Sequence, residues 1–324
     1  MTERTAGPDL TRRSGLTRLK EGTYGGFFAA CAALTLLTTV AIFATLLSDA
    51  LVFFAEVPIL EYLGGTDWSP NPRGGGQTFG IVPLLIGTLV VTVTAAFIAL
   101  PVGTLTAIYL SEYASSNARA ILKPLLEVLA GIPTVVYGYF ALVYVTPALK
   151  ATLFSEMSTF NALSASLMVG IMTIPMVSSI SEDAMSAVPD SLRQAGYGLG
   201  ATKFEVSTAI VVPASISGIA SSYILAVSRA IGETMIVVVA MGAQARMPAV
   251  SELAFGIPVV NPADVLLDSG MTITVAMVQI AGGDLVGGTL PYDAMFALGL
   301  TLFVVTLLMN VLSDIIAERY REEY

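Results

Sequence analysis

Apolar runs of roughly twenty residues recur along this chain, near 27–47, 81–110, 125–149, 163–180, 217–241 and 292–311, with polar segments between them. At 1.5 Å per residue in a helix, about 20 residues cross a hydrocarbon core of ~30 Å. The pattern predicts an all-α polytopic membrane protein with six transmembrane helices. An outer-membrane barrel is excluded, because its strands alternate apolar and polar over about ten residues. The segmentation reads as a polar tail (1–22), a first helix (23–48), a loop (49–80), a main body (81–318) and a charged tail (319–324). The main body holds five spans, a polar loop (182–213) and a second long loop (243–291).

Several interruptions are informative. Pro133 and Pro175 fall inside predicted spans, each freeing a backbone carbonyl that a neighbour must re-satisfy, and Pro133 predicts a kink. The apolar run 271–280 is too short to cross, which predicts a re-entrant or interfacial segment. The first loop carries a tip rich in turn formers around 67–76. Its Trp68, the single tryptophan, suits a membrane interface.

The most structured polar stretch is an island at 188–213, V-P-D-S-L-R-Q-A-G-Y-G-L-G-A-T-K-F-E-V-S-T-A-I-V-V-P. Ser191 with Gln194, and Thr202 with Glu205, have capping-box spacing, which predicts two helix starts. Gly196, Gly198 and Gly200 lie between them and predict a break, since glycine accepts the positive φ of a helix stop. Two short helices closed by Pro213 follow, with Ala195, Gly196 and Gly200 forming a small-residue surface. Local physics leaves two readings open, a structured inter-helix loop or a docking surface.

Composition narrows the chemistry. Hydrophobic residues make up 55% and charged residues 12%, and mean hydropathy is +0.80, so two soluble domains are not an option at this length. One cysteine, Cys31, and no histidine exclude an internal disulfide, a Cys/His metal site and any His-based nucleophile. The formal charge of −9 is consistent with an acidic outer surface or a salt-rich environment. The first apolar run is too long for a cleaved leader and reads as an uncleaved span. Of 15 Lys and Arg, all but Arg73, Lys150, Arg229 and Arg246 fall in the two tails, the 111–124 loop or the island. The positive-inside rule then places both termini and the island in the cytoplasm of a cell-membrane protein.

Only Arg229 and Glu233 lie deep within a predicted span. Arg229 is ~18 Å along the fifth helix, near mid-membrane, where a charge costs about 2.5–3.5 kcal/mol. Their i, i+4 spacing puts both on one helical face, where they can pair. The pair is then either a self-neutralising helix glue or a polar site on a path for an anion or coupled ion. Hydroxyls of the spans (Thr88, Thr92, Thr94, Thr134, Ser164, Ser166, Ser178, Ser179) are expected to bond back to their own helices.

Gln194-Ala195-Gly196, Gly200, Ile210 and Val212-Pro213 resemble the EAA loop of ABC importer permeases in full spacing, with Gln194, Gly196 and Val212 departing in type. Ala130-Gly131-Ile132-Pro133-Thr134-Val135-Val136-Tyr137-Gly138 and Ser228-Arg229-Ala230-Ile231-Gly232-Glu233-Thr234-Met235 are similar to the phosphate-specific members of that class. The loop at Asp67-Trp68-Ser69-Pro70 looks more like the PstC type of subunit than its PstA partner. The resemblance implies a type I importer (MetI-like) core that moves phosphate by alternating access. It implies a PstA-like permease as heterodimer partner, a cytoplasmic PstB-like ATPase dimer and an external PstS-like phosphate-binding protein. By position it assigns phosphate passage to Arg229 and Glu233. It assigns ATPase coupling to the island, including Ser191, Gln194, Ala195, Gly196, Gly200, Thr202 and Glu205. No Walker-type loop is present, so ATP hydrolysis is expected from a partner, with no cofactor and no nucleic acid involved. The rival readings are a permease for sulfate or molybdate and an ATP-independent secondary transporter.

Overall fold

A computed structural model describes residues 15–70, 76–248, 250–252, 258–283 and 287–319. Arg4, Arg12 and Arg13 of the basic tail, the loop tip at 71–75 and the last five residues lie outside the described residues. Among the described residues four continuous helices are long and apolar enough to cross a membrane: Lys20–Glu56, Val82–Tyr113, Ala162–Ser186 and Leu290–Val311. Two further apolar pairs are sharply bent, and counting each as one span gives six.

The first helix, α1 (Gly15–Glu56), outlasts its predicted end because Ala50 and Phe53 are core positions rather than loop. A short α2 (Ile59–Gly64) follows, then a two-residue antiparallel ladder of β1 (Trp68–Ser69) and β2 (Thr78–Phe79). Trp68 is not displayed at a surface: it is buried edge-on against Phe79, which in turn stacks edge-on with Phe53. Edge-to-face packing of this kind suits the aromatic quadrupole.

The central contact of the bundle is between α3 (Val82–Ile108) and α7 (Ala162–Ser186). A π-helical turn (Tyr109–Tyr113) ends α3. Thr88, Thr92 and Ser166 return their hydroxyls to carbonyls one turn back, at 2.7 Å each, as expected of buried span hydroxyls. Ser164 instead accepts the Thr146 hydroxyl at 2.8 Å, and the buried Ser178 hydroxyl has no partner among the described residues.

The third span departs from expectation. The sequence reads as one kinked helix over 125–149, but the chain turns by 89° between α4 (Ser116–Gly131) and the run beginning at Thr134. Pro133 has no N–H, and it drives the preceding Ile132 to an extended ψ of 129°, so the helix stops rather than bends. The crossing segment is α5 (Thr134–Phe140), a π turn (Ala141–Val145) and α6 (Thr146–Thr152). Helix α4 buries none of its residues in the single chain. Asn161 caps α7 by accepting the Ser164 N–H at 2.7 Å, and its amide reaches Thr146 on α6 at 3.1 Å.

The island forms α8 (Asp190–Gly198), α9 (Lys203–Val206), a π turn (Ser207–Val211) and α10 (Val212–Ala214). The chain then bends by 70° at Ser215, not at Pro213, which sits inside α10. The fifth predicted span is also discontinuous. It divides into α11 (Ile216–Ile231) and α12 (Met235–Ala240), with the break at 232–234.

The second long loop holds a hairpin of β3 (Val250–Glu252) and β4 (Pro258–Val260), then α13 (Pro262–Leu267) and α14 (Ile273–Gly282). Helix α14 is ten residues, short of a crossing, and it is tucked against α3, α12 and the last helix, α15 (Leu290–Arg319). Its Thr272 cap accepts the Val275 N–H, and the Ile273 N–H reaches Thr88 on α3 at 3.1 Å. Gly87 makes that approach possible, because a Cβ there would lie 2.2 Å from the Met271 carbonyl oxygen. A Gly87→Ala substitution is expected to lower stability by about 1–3 kcal/mol through overpacking against backbone. The unfolding midpoint of the purified protein in detergent measures this, and an unchanged midpoint refutes the packing assignment.

Candidate translocation and coupling site

The island is anchored by its own hydrophobic cluster. Val206 and Val211 pack with Ala107 of α3, Met185 and Val188 at the end of α7, and Ile219 of α11. The predicted box at Thr202 and Glu205 is formed. Thr202 Oγ1 accepts the Glu205 N–H at 3.3 Å, and Glu205 Oε2 accepts the Thr202 N–H at 2.7 Å. The predicted box at Ser191 and Gln194 is not formed. Pro189 occupies the cap position, which leaves Ser191 two positions past it, inside the first turn. Of the three only Gly200 takes a positive φ, +86°, while Gly196 and Gly198 are helical, so the break falls after Gly198, at 199–202, rather than across all three glycines.

Gly196 also does not contribute to an exposed surface. It is buried, and a Cβ there would meet Ile210 at 2.7 Å and Val206 at 3.0 Å, so it sets the spacing of α8 and α9. Ser191, Gln194, Ala195, Gly200, Thr202 and Glu205 are exposed. Beside them stand Leu199 at 91% exposure and Phe204 at 68%, two large apolar side chains presented at the tip between the helices. An apolar tip rimmed by polar residues is the composition of a protein contact. Sequence pattern missed both, because in an apolar chain a single Leu or Phe carries no signal.

Two buried carboxylates tie this region together, and neither stood out in sequence. Glu112, in the π turn after α3, holds Arg193 of α8 at 3.1 Å. The same guanidinium donates to the carbonyls of Val188 at 2.6 Å and Met185 at 2.8 Å, the open end of α7. One side chain therefore satisfies unpaired helix-end carbonyls, meets the negative end of the α7 dipole and pairs with a carboxylate on α3. Lys203 adds a cation–π contact on Tyr113 at 5.2 Å, bringing α9 to the same turn. Glu182 of α7 is 1% exposed and is held by Arg119 and by Lys123, the latter at 2.8 Å, both from α4. Burying this carboxylate is sustainable only because both oxygens are charge-paired.

Arg229 and Glu233 are not a helical pair. Helix α11 ends at Ile231, so the i, i+4 relation is lost, and they form no ion pair. Glu233 is 7% exposed and its Oε1 accepts the Ile236 N–H at 3.2 Å, in the first turn of α12. Its own carbonyl accepts the Thr274 hydroxyl at 3.0 Å. The break thus gives the buried carboxylate a free backbone donor, which a continuous helix lacks. Arg229 is exposed on the single chain, and among the described residues its guanidinium makes one hydrogen bond, to Met172 Sδ at 3.8 Å. It lines a cavity of about 420 Å³ between α4, α7 and α11, with Met172, Ser179, Glu182, Lys123 and Glu127.

These features define a mostly helical membrane protein with broken spans, a charged cavity between them and an exposed apolar tip on the island. The chain belongs to the binding-protein-dependent transport system inner membrane component family, which it matches over residues 99–322. It is similar to the probable ABC transporter permease protein YqgH of Bacillus subtilis (strain 168), 30% identical over 90% of this chain and 88% of that protein. It is also similar to the phosphate transport system permease protein PstC of Mesorhizobium japonicum, 32% identical over 77% of this chain and 75% of that protein. The same fold appears in the crystal structure of a bacterial alginate ABC transporter in complex with an alginate pentasaccharide-bound periplasmic protein. The TM-score is 0.64 at 13% identity, covering 94% of this chain and 98% of that one. The chain is a multi-pass membrane permease subunit, and in this class ATP is hydrolysed by a separate ATPase.

Two outcomes follow from the anchoring. Arg193→Gln leaves Glu112 and two carbonyls without their donor, and is expected to destabilise the chain by about 1–3 kcal/mol. Adding Glu112→Gln should cost less than the sum of the single changes, which a double-mutant cycle on detergent unfolding reads; additivity rules the link out. At the box, the Thr202 N–H and hydroxyl hold the Glu205 carboxyl below its ordinary value of 4.5. Its contribution is present above that value and is lost as pH falls through the lower folded pKa. Amide exchange at the start of α9 should therefore rise below about pH 4.5 in the wild type, and Glu205→Ala should show the faster exchange already at neutral pH.

Proposed function

We propose that this chain is the PstC-type permease subunit of an ATP-driven importer that moves inorganic phosphate into the cytoplasm by alternating access. The observation that carries the reading is the unpaired Arg229 guanidinium in the inter-helix cavity of a chain similar to PstC across most of its length. A guanidinium free of protein partners can bind a tetrahedral oxyanion through two parallel N–H bonds. Counted from Ile216, Arg229 is ~20 Å along α11, deep in the span. Glu233 acts beside it by fixing the break between α11 and α12, so that its role in passage is to hold the path's shape.

In this reading the island lies in the cytoplasm with both termini, following the distribution of Lys and Arg. Leu199, Phe204 and Ala195 seat against a cytoplasmic PstB-like ATPase dimer, and Gln194 offers a hydrogen bond where a Glu would offer a charge. Arg193 carries the motion of α8 into α3 and α7, because it binds both. A homologous PstA-like permease completes the pore around the exposed Arg229 face, and an external PstS-like protein delivers phosphate.

Phosphate uptake in cells lacking other phosphate systems, with all partner subunits supplied, tests the reading. Arg229→Gln is expected to cut uptake at least about tenfold while the complex still assembles. Ala195→Asp should leave the chain in the membrane but release the ATPase. Transport of another oxyanion instead of phosphate would correct the substrate. Uptake that persists without any ATPase would overturn the importer reading altogether.

A further inference from the structure

We propose that Glu127 is the specificity-determining residue of the Arg229 cavity, accepting a hydrogen bond from the proton of a protonated tetrahedral oxyanion and so separating phosphate from sulfate. The inference rests on the phosphate reading and adds a selectivity element to its site.

The cavity's charged groups can be accounted for one by one. Glu182 of α7, Lys123 and Glu127 of α4 and Arg229 of α11 line it, while Arg119 of α4 and Asp183 of α7 pair with lining residues from outside it. Glu182 has both oxygens engaged, one by Arg119 and one by Lys123, and Lys123 also reaches Asp183 at 3.5 Å. Those four groups neutralise one another and hold α4 on α7. What remains is one cation and one anion without partners. Arg229 meets only a thioether, and Glu127 makes no hydrogen bond or ion pair among the described residues. The two line one cavity yet do not form an ion pair with each other. At about 420 Å³ the space holds on the order of a dozen water volumes, at ~30 Å³ each, enough for an oxyanion between them.

A site made of donors alone cannot distinguish phosphate from sulfate, since both present oxygens in the same tetrahedral shape. Near neutral pH inorganic phosphate keeps at least one proton, while sulfate has none. A carboxylate lining the same cavity as the guanidinium reads that difference. It accepts from P–OH, but against a bare S–O it sets two acceptors face to face with no proton between them. Sites that demand a hydrogen bond reject the analogue lacking it far more strongly than sites that merely exclude by size. Glu127 is the free carboxylate among the described lining residues. Its position one helical turn after Lys123 puts it on the face of α4 that α7 engages. The Ser179 hydroxyl of α7 is a further donor on the lining.

The test uses the purified, nucleotide-free complex of the chain with its partner permease and ATPase, without the external binding protein, whose own selectivity would mask the effect. Radiolabelled phosphate is bound and displaced by arsenate, which is protonated like phosphate, or by sulfate. In the wild type, sulfate should compete at least about tenfold more weakly than arsenate. In Glu127→Gln the amide can donate to S–O, and the gap should shrink to within about threefold by a gain in sulfate competition. Glu127→Asp, which keeps the acceptor, should preserve the wild-type order. If the wild type binds phosphate and Glu127→Gln keeps the full gap, the assignment of Glu127 is wrong and the phosphate reading stands. If the wild type binds no phosphate but binds sulfate, both fall.

Discussion

A carboxylate removed from water must be met by a partner, and here that requirement fixes how the end of the bundle that carries the island is built. Glu112 and Glu182 sit at the ends of the two most intimately packed helices, α3 and α7. Each recruits cations from the element that has to stay attached, Arg193 from the island and Arg119 with Lys123 from α4. Remove either carboxylate and the cations it holds, Arg193 or Arg119 with Lys123, lose their pairing across the elements. The arrangement makes α3, α7, α8 and α4 a single mechanical body, with the bends at Ile132–Pro133 and Ser215 as its margins.

The breaks serve the same economy of backbone groups. A helix interrupted inside a membrane exposes N–H and C=O groups that water cannot reach. At 232–234 the loose ends are taken by Glu233 and by the Thr274 hydroxyl of α14. The short α14 therefore does not need to cross anything. It exists to be packed against, closing the space beside the break and presenting its first turn to Thr88. Arg229, one turn before the break, is left free of backbone duties, which is the condition for binding something else.

The fold class and the run of spans were legible from the length and spacing of apolar segments, because crossing length is a property of composition. The Thr202–Glu205 box was legible too, being local. What escaped was every feature set by contact between distant segments. Glu112 and Glu182 look like ordinary loop and helix-end acids until α8 and α4 fold back on them. The i, i+4 rule put Arg229 and Glu233 on one face, but it presumes a continuous helix, and Gly232 ends it. Proline flagged 133 as a kink, yet the size of the turn, 89°, is not carried by a single residue type, and the side on which α4 lies is marked by its long-range pairing with Glu182. Small residues in the island suggested exposure, whereas Gly196 is small because two helices cross on it.

Helix α1 is apolar along nearly its whole length, yet its most hydrophobic stretch buries nothing inside the chain. Its main packing partner is α15, for example Phe43 on Phe303 at 5.2 Å between ring centres, and only its last turns, with Phe53 on Phe79, join the core. It also lies before the part of the chain that matches the family, which starts at residue 99. A segment answerable chiefly to lipid is constrained in oiliness but hardly in shape, so many spellings serve equally well. Ahead of Ala50 and Phe53, which the core holds to shape, such a helix can be rewritten freely while the machinery beside it keeps its fit.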